Sequence, residues 1–330
     1  MERRRIALFG AWHVHAEGYL KTAIGEGAEI IGVYDADPAR RAKIAAAYGV
    51  PELPSEEALL TSCADGAIVC TATSDHPRVI AALAGAGKDV FTEKVLAITD
   101  REAEETAAAV KRAGVSFVIS FPDLFSSWMQ TAYAVLRDGK LGKVTSIRFK
   151  NCHTGSSGRW LPPHFYSREQ CGGGAMIDLG AHGMYVIASI LGVPDAFVSR
   201  FTCVMPEVQP DPAHPVEDNA VTLMTWRDGC VATNETGFVT KGFPKTLEIT
   251  GTDGSLLWNG ETMTLTDPGS GKPVGVPLLP ALPSPLVQFL RRQTPAGCGI
   301  DEGVRLTRMM TGAYDGLPDS AQTEKAREMI

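Results

Sequence analysis

The stretch CGGGAMIDLGAHGMYVIASILG at positions 171–192 holds the densest set of groups able to do chemistry, because it sets Asp178 and His182 four residues apart. Side chains at that spacing on a helix project together from neighbouring turns. A carboxylate beside an imidazole orients the ring and raises its pKa, which suits a group that removes a hydroxyl proton as hydride leaves. The same pair also fits a structural hydrogen bond or a surface pair. Ile177, Ala181, Met184 and Leu191 form an apolar stripe, Gly180 and Gly183 leave room for close approach, and Gly192 and Pro194 end the helix. A second candidate is Lys94, which follows Glu93 at the end of the apolar run DVFTEK. There an ammonium would orient a substrate hydroxyl and stabilise a developing alkoxide, although a Glu-Lys dipeptide elsewhere is an ordinary solvated pair.

Cofactor chemistry is suggested nearer the start. Gly10 ends the first apolar run, and the turn GAWHVHAEG leads into a helix, where a dinucleotide pyrophosphate would meet N-terminal amides. In the G-x-G-x-x-G pattern, Trp12 and His15 occupy the second and third glycine positions. Asp35 closes the second run 25 residues after Gly10, where a carboxylate accepts both ribose hydroxyls of NAD and repels the 2'-phosphate of NADP. It also fits simple capping of the next helix together with Asp37. The segment from Thr71, Ala72 and Thr73 to His76 follows the third run. With Gly10, Trp12, His13, Asp35, Glu93 and Lys94 it completes the expected cofactor contacts at the carboxyl edge of a parallel sheet. The segment NCHTGSSGRWLPPHFYSREQ (151–170) precedes the Asp178 helix and reads as a substrate loop, with Arg159, Trp160 and His164 as contacts. No carboxylate or cysteine spacing accompanies its histidines, so no metal site is expected.

These residues need elements to hold them. From the start to about residue 120, the runs RIALFG (5–10), EIIGVYD (29–35), GAIVCTA (66–72), DVFTEK (89–94) and SFVIS (116–120) alternate with alanine-rich helical segments. That alternation predicts a doubly wound parallel sheet, a Rossmann domain over 1–120. Pro38 and Gly49 bracket one helix, and Thr99-Asp100-Arg101-Glu102 is a capping box before a helix ending near Gly114. Beyond 120 the texture changes. Asp228-Gly229, Asp253-Gly254 and Asn259-Gly260 separate runs such as AVTLMTW, TLEITGT and SLLW, which predicts an α+β domain over 121–330 with a large open, mostly antiparallel sheet. Ser284-Pro285 opens a helix, and the remainder is expected to be helical or irregular.

Bulk properties narrow the function further. With 330 residues, 44% hydrophobic and 21% charged, two folded domains are expected. A net charge of -7 offers no basic footprint for nucleic acid or an anionic membrane, and Arg3-Arg4-Arg5 is a short solvated flank. Seven scattered cysteines without a C-x-x-C pair indicate a reducing, cytoplasmic compartment. The run Ile6 to Phe9 is too short for a signal peptide, and no later segment is expected to reach the length of a membrane span.

Gly10 in its β-turn-α context, Asp35, ATSDH, AGKDVFTEK, LGKV at 141–144, GGGAMIDLGAH and EITGTDGSL together resemble the glucose-fructose oxidoreductase/inositol dehydrogenase/MocA family from end to end. Its glutamate-lysine-proline signature falls on Glu93, Lys94 and Val95. Its GGG-x-x-x-D-x-G-x-H signature falls on Gly172, Gly173, Gly174, Asp178, Gly180 and His182. The resemblance implies a Rossmann domain followed by an α/β domain with a large open sheet. It implies oxidation or reduction of sugars, cyclitols or related polyols with NAD or NADP, with Lys94, Asp178 and His182 as the catalytic set. It also implies a homodimer or homotetramer packed through the residue 144–260 sheet, whose uncovered face would otherwise expose an apolar patch. NAD-retaining glycosidase-like chemistry and a non-catalytic ligand-binding role are the alternatives. Pocket shape rather than any motif selects the polyol.

Overall fold

A computed structural model of the chain describes residues 3–242, 245–266 and 269–316. The chain divides into two compact units, Met1–Pro122 with Pro283–Thr307, and Asp123–Leu282 with Arg308–Ile330.

The first unit runs through β1 (Arg5–Phe9), α1 (Ala16–Gly25), β2 (Glu29–Tyr34), α2 (Pro38–Tyr48), α3 (Glu56–Leu60), β3 (Gly66–Val69), α4 (His76–Gly85), β4 (Asp89–Thr92), α5 (Asp100–Ala113) and β5 (Phe117–Ile119). Its sheet has the order β2-β1-β3-β4-β5, with every pair parallel. Strands β3 and β5 are buried throughout, which is why they read as unbroken apolar runs. The helix boundaries follow local chemistry. Asp37 accepts from the amides of Ala39 and Arg40 ahead of α2, and Gly49 closes it in the left-handed conformation. Thr99 and Glu102 make both bonds of the capping box on α5. Such caps contribute about 1 kcal/mol each.

The second unit contains α6 (Ser127–Arg137), β6 (Val144–Cys152), α7 (Arg168–Cys171), α8 (Ala181–Leu191), β7 (Ala196–Thr202), β8 (Asn219–Thr225), β9 (Val231–Gly237), β10 (Lys245–Gly251), β11 (Ser255–Trp258), β12 (Met263–Thr266) and β13 (Pro273–Val276). The strands form one sheet in the order β13-β12-β11-β10-β6-β9-β8-β7. The sheet is mostly antiparallel, but its central pair β6 and β9 is parallel. Alternation is clear on β8, where Ala220, Thr222 and Met224 point inward while Asn219, Val221 and Leu223 face out. Helix α8 lies on the inner face, and a Cβ added at Gly183 would fall 2.1 Å from Asn234 Oδ1 on β9.

Two expectations are corrected. The helical run Arg168–Leu191 has 24 residues and its most apolar window of 18 a mean hydropathy of 1.4, so it does reach the length and apolarity of a membrane span. With 67% of its most apolar window buried inside the protein, it is a core helix covered by the sheet. Residues 283–307, placed in the second domain by linear order, group with the first unit. There α9 (Pro285–Leu290), capped by Ser284, brings Phe289 to 5.9 Å from Phe91 and under the Arg4 guanidinium at 4.3 Å. Before α10 (Ile300–Asp315), the Cys298 carbonyl accepts from the amide of Ile119 at 2.8 Å. The helical or irregular reading of the C-terminus can be followed to residue 316, and 317–330 lie outside the described residues.

Candidate active site

In the first unit the site residues gather where β1, β2, β3 and β4 end. Gly10 has φ +84° and its amide donates to the Tyr34 carbonyl at 2.7 Å. A Cβ there would lie 2.6 Å from Thr71 Cγ2 and 3.0 Å from the Thr71 amide, so only glycine lets the β1–α1 turn close against the end of β3. Ala72 and Thr73 are buried, with Thr73 opening the single turn Thr73–Asp75. Asp35 is buried and accepts from the amides of Ala11 at 2.6 Å and Asp37 at 2.7 Å. Arg40 lays its guanidinium across both carboxylate oxygens at 3.1 Å. The glycine cradle and the carboxylate at the end of β2 fit a dinucleotide, with Asp35 placed to accept ribose hydroxyls.

The pyrophosphate turn differs from expectation. The amides of Trp12 and His13 both donate to the Cys70 carbonyl, at 3.1 and 3.0 Å, so two donors that the glycine-rich pattern would offer to a diphosphate are committed to the end of β3. His76 lies deeper in the fold. It is fully buried, its Nδ1 bonds the Val95 carbonyl at 2.8 Å, and burial holds its pKa below the ordinary imidazole value. It therefore braces the chain after Lys94 as a neutral core residue.

Glu93 is the polar centre of this edge. Its Oε1 is 2.8 Å from His15 Nδ1 and 3.8 Å from His13 Nδ1, and accepts from Tyr19 Oη. Its Oε2 accepts from the amide of Lys94 at 3.2 Å. Burial alone would raise the Glu93 pKa, but the charges of His13, His15 and Lys94 and the His15 bond overcome it and hold the carboxyl well below its usual range. Tyr19 is pushed up by burial and by Glu93, so it remains a hydroxyl donor and reaches Ser120 Oγ at 2.8 Å. Lys94 is buried beside this network, and the Lys94–Val95 peptide is cis.

In the second unit, His182 Nδ1 lies 2.9 Å from Asp123 Oδ2 and 2.8 Å from Tyr185 Oη. Tyr185 also donates to Asp123 at 2.9 Å, and Lys245 Nζ contacts both Asp123 oxygens at 2.7 Å. Burial would raise the Asp123 pKa, but the Lys245 ammonium and the His182 bond keep it far below the ordinary carboxylate value. An ionised, buried carboxylate on Nδ1 fixes the tautomer and orientation of the imidazole.

The carboxylate on the Nδ1 side is thus Asp123, which sequence reasoning missed, as it missed Lys245 and Tyr185. Of the three, Tyr185 carried a local signal, its three-residue spacing from His182. Met176–Gly180, which holds Asp178, forms a π turn wider than the regular α-helix from which the Asp178–His182 spacing was read. That turn is supported by the sheet: Asn151 donates to the Leu179 carbonyl at 3.2 Å, Asn234 to Gly180 at 2.7 Å and Thr236 to Ala175 at 3.3 Å. Asp178 lies within it. In the expected substrate loop, Arg159 and Trp160 are exposed, with Trp160 Nε1 donating to Thr154 Oγ1 at 3.2 Å, while His164 is half-buried.

The first unit's fold and its cradle define a nicotinamide-dependent oxidoreductase. Residues 4–121 match the oxidoreductase family NAD-binding Rossmann fold, and 129–257 match the GFO/IDH/MocA C-terminal domain. The chain belongs to the glucose-fructose oxidoreductase/inositol dehydrogenase/MocA family and is an NAD(P)-dependent enzyme. It is 24% identical over 256 residues to inositol 2-dehydrogenase of Rhizobium meliloti, covering 76% of this chain and 74% of that one. It is 25% identical over 272 residues to 1,5-anhydro-D-fructose reductase of Ensifer adhaerens, covering 77% and 75%. Among solved structures, levoglucosan dehydrogenase in complex with NADH and levoglucosan superposes with a TM-score of 0.83 at 17% identity, covering 96% of this chain and 97% of that one.

Proposed function

We propose that the chain transfers hydride between NAD and a secondary alcohol or ketone of a sugar, cyclitol or related small polyol, in a cytoplasmic setting. The observation that carries this reading is the buried Asp123–His182 pair, which prepares one imidazole nitrogen for proton transfer. The named activities of the relatives on inositol, anhydrofructose and levoglucosan support the substrate class. Bound nicotinamide would supply the hydride acceptor. His182 Nε2 takes the hydroxyl proton in oxidation and returns it in reduction, while ionised Asp123 balances the imidazolium. Lys245 and Tyr185 hold Asp123 in place. The Lys94 ammonium orients the reacting oxygen and stabilises negative charge on it. Asp178 and the loop residues Arg159, Trp160 and His164 contact the other hydroxyls, with the exposed Trp160 ring as an apolar face for the sugar ring.

NAD is preferred over NADP because the Asp35 carboxylate disfavours a 2'-phosphate, although its pairing with Arg40 tempers that preference. The enzyme assembles as a homodimer or homotetramer through the outer face of the large sheet, where Val198, Val221, Leu223 and Leu257 are 39–53% exposed and Val198 pairs with Leu223 across β7 and β8. A panel of polyols and keto-sugars with NAD and NADP, followed at the absorbance of reduced nicotinamide, tests the reaction. Net reduction of NAD by at least one polyol is expected. Dinucleotide binding without turnover of any alcohol or ketone in the panel would overturn the assigned chemistry.

A further inference from the structure

The first unit also gathers three ligand-type side chains at the start of α1 and the end of β4. We propose that His13, His15 and Glu93 form a binding site for one zinc-like divalent ion at the β1–α1 turn. The donor atoms of the three residues all lie within 4.8 Å of one another. Two imidazoles and one carboxylate are a donor set for Zn2+ or Co2+, with a fourth position left to water or another oxygen.

The distances bracket what such an ion needs. Donors held at about 2.0–2.1 Å in a tetrahedral arrangement are roughly 3.3 Å apart. Glu93 Oε1 is 2.8 Å from His15 Nδ1 and 3.8 Å from His13 Nδ1, so a shift of about half an ångström in each side chain accommodates the ion. The His15 amide donates to His13 Nδ1 at 3.2 Å, which puts a lone pair rather than a proton on that nitrogen. Coordination through that nitrogen takes the lone pair that the His15 amide now occupies. The carboxylate is held by other partners, as coordinated carboxylates are: Tyr19 donates to Oε1 and the Lys94 amide to Oε2. Metal entry replaces the His15–Glu93 hydrogen bond and releases its proton. Access is open, since the His15 side chain is 52% exposed and borders a groove of about 380 Å³ lined also by Gly18, Tyr19, Phe91 and Ser120.

The test uses the full chain, stripped with a chelator and titrated with Zn2+ by calorimetry and with Co2+ by visible absorption. No dinucleotide or polyol is added, so the outcome is independent of the reaction proposed above. One ion per chain and intense cobalt bands of a four-coordinate site are expected. His15→Ala, half-exposed and safe for the fold, and Glu93→Gln should each weaken binding roughly tenfold or more. His214→Ala, which removes an exposed histidine paired with Asp211, should leave binding unchanged. Absence of saturable binding, or binding indifferent to both His15→Ala and Glu93→Gln in variants shown folded by circular dichroism, would overturn the site.

Discussion

Asp123→Asn removes one charge from the centre of the second unit's polar network while keeping the side chain's shape. In catalysis, the amide can donate to His182 Nδ1, which favours the tautomer protonated at Nε2, so that nitrogen can no longer take a proton, and leaves any imidazolium unbalanced. A fall in kcat of about 10²- to 10⁴-fold is expected, or about 3–5 kcal/mol in the barrier. In stability, the change strands the Lys245 ammonium. Breaking a fully buried pair costs about 3–5 kcal/mol, but the Lys245 side chain is 21% exposed and partly rehydrates, so about 1–3 kcal/mol is expected. The pH dependence has a defined sign. Because the folded-state pKa of Asp123 is depressed, its contribution is fully present above the unfolded value of about 4 and is lost as pH falls from there towards the folded pKa. The stability gap between wild type and variant should therefore be constant from neutrality to about pH 5 and narrow in stronger acid. Denaturant unfolding at pH 7 and pH 3, with kcat at pH 7, measures both effects. Tyr185→Phe removes a bond to the ionised Asp123 worth about 1.5–3 kcal/mol and should lower kcat less than Asp123→Asn does. Folded Asp123→Asn with kcat within about threefold of wild type would refute the positioning role.

His182→Ala should lower kcat by about 10²- to 10⁴-fold with dinucleotide affinity unchanged, as read from steady-state rates beside calorimetric titration. Asp35→Ser should narrow the preference for NAD over NADP and Arg40→Ala should widen it, which competitive titration of the two nucleotides decides. Gly183→Ala forces a methyl to within 2.1 Å of Asn234 Oδ1, and a loss of about 1–3 kcal/mol is expected in urea unfolding. Leu223→Lys on the outer face of β8 should shift the assembly towards monomer in light scattering, and a wild-type monomer at micromolar concentration would exclude the proposed packing.

The first unit was legible along the chain because its determinants are local. Parallel strands buried on both faces appear as apolar runs, and the run RIALFG at 5–10 corresponds to Arg5–Phe9 in the fold. Caps at Asp37 and Thr99 act within three residues, and Gly10 with Asp35 marks adjacent strand ends in sequence order. The proton-transfer network was not legible, since Asp123 is 59 residues from His182 and 122 from Lys245. Nothing short-range joins them; the pairing of β10 with β6 and the docking of α8 on the sheet do. The π turn around Asp178 was equally hidden, because its carbonyls are satisfied by Asn151, Thr236 and Asn234 from distant strands. A helix-period rule knows only intrahelical bonds. His13 and His15 stand two apart in plain view, yet only the adjacency of β1 and β4 to β3 gives them Glu93 as a third donor. Sequence determined which elements form and which residue types could react; tertiary packing decided which carboxylate each histidine meets, because burial and charge pairing are set by neighbours far away in the chain.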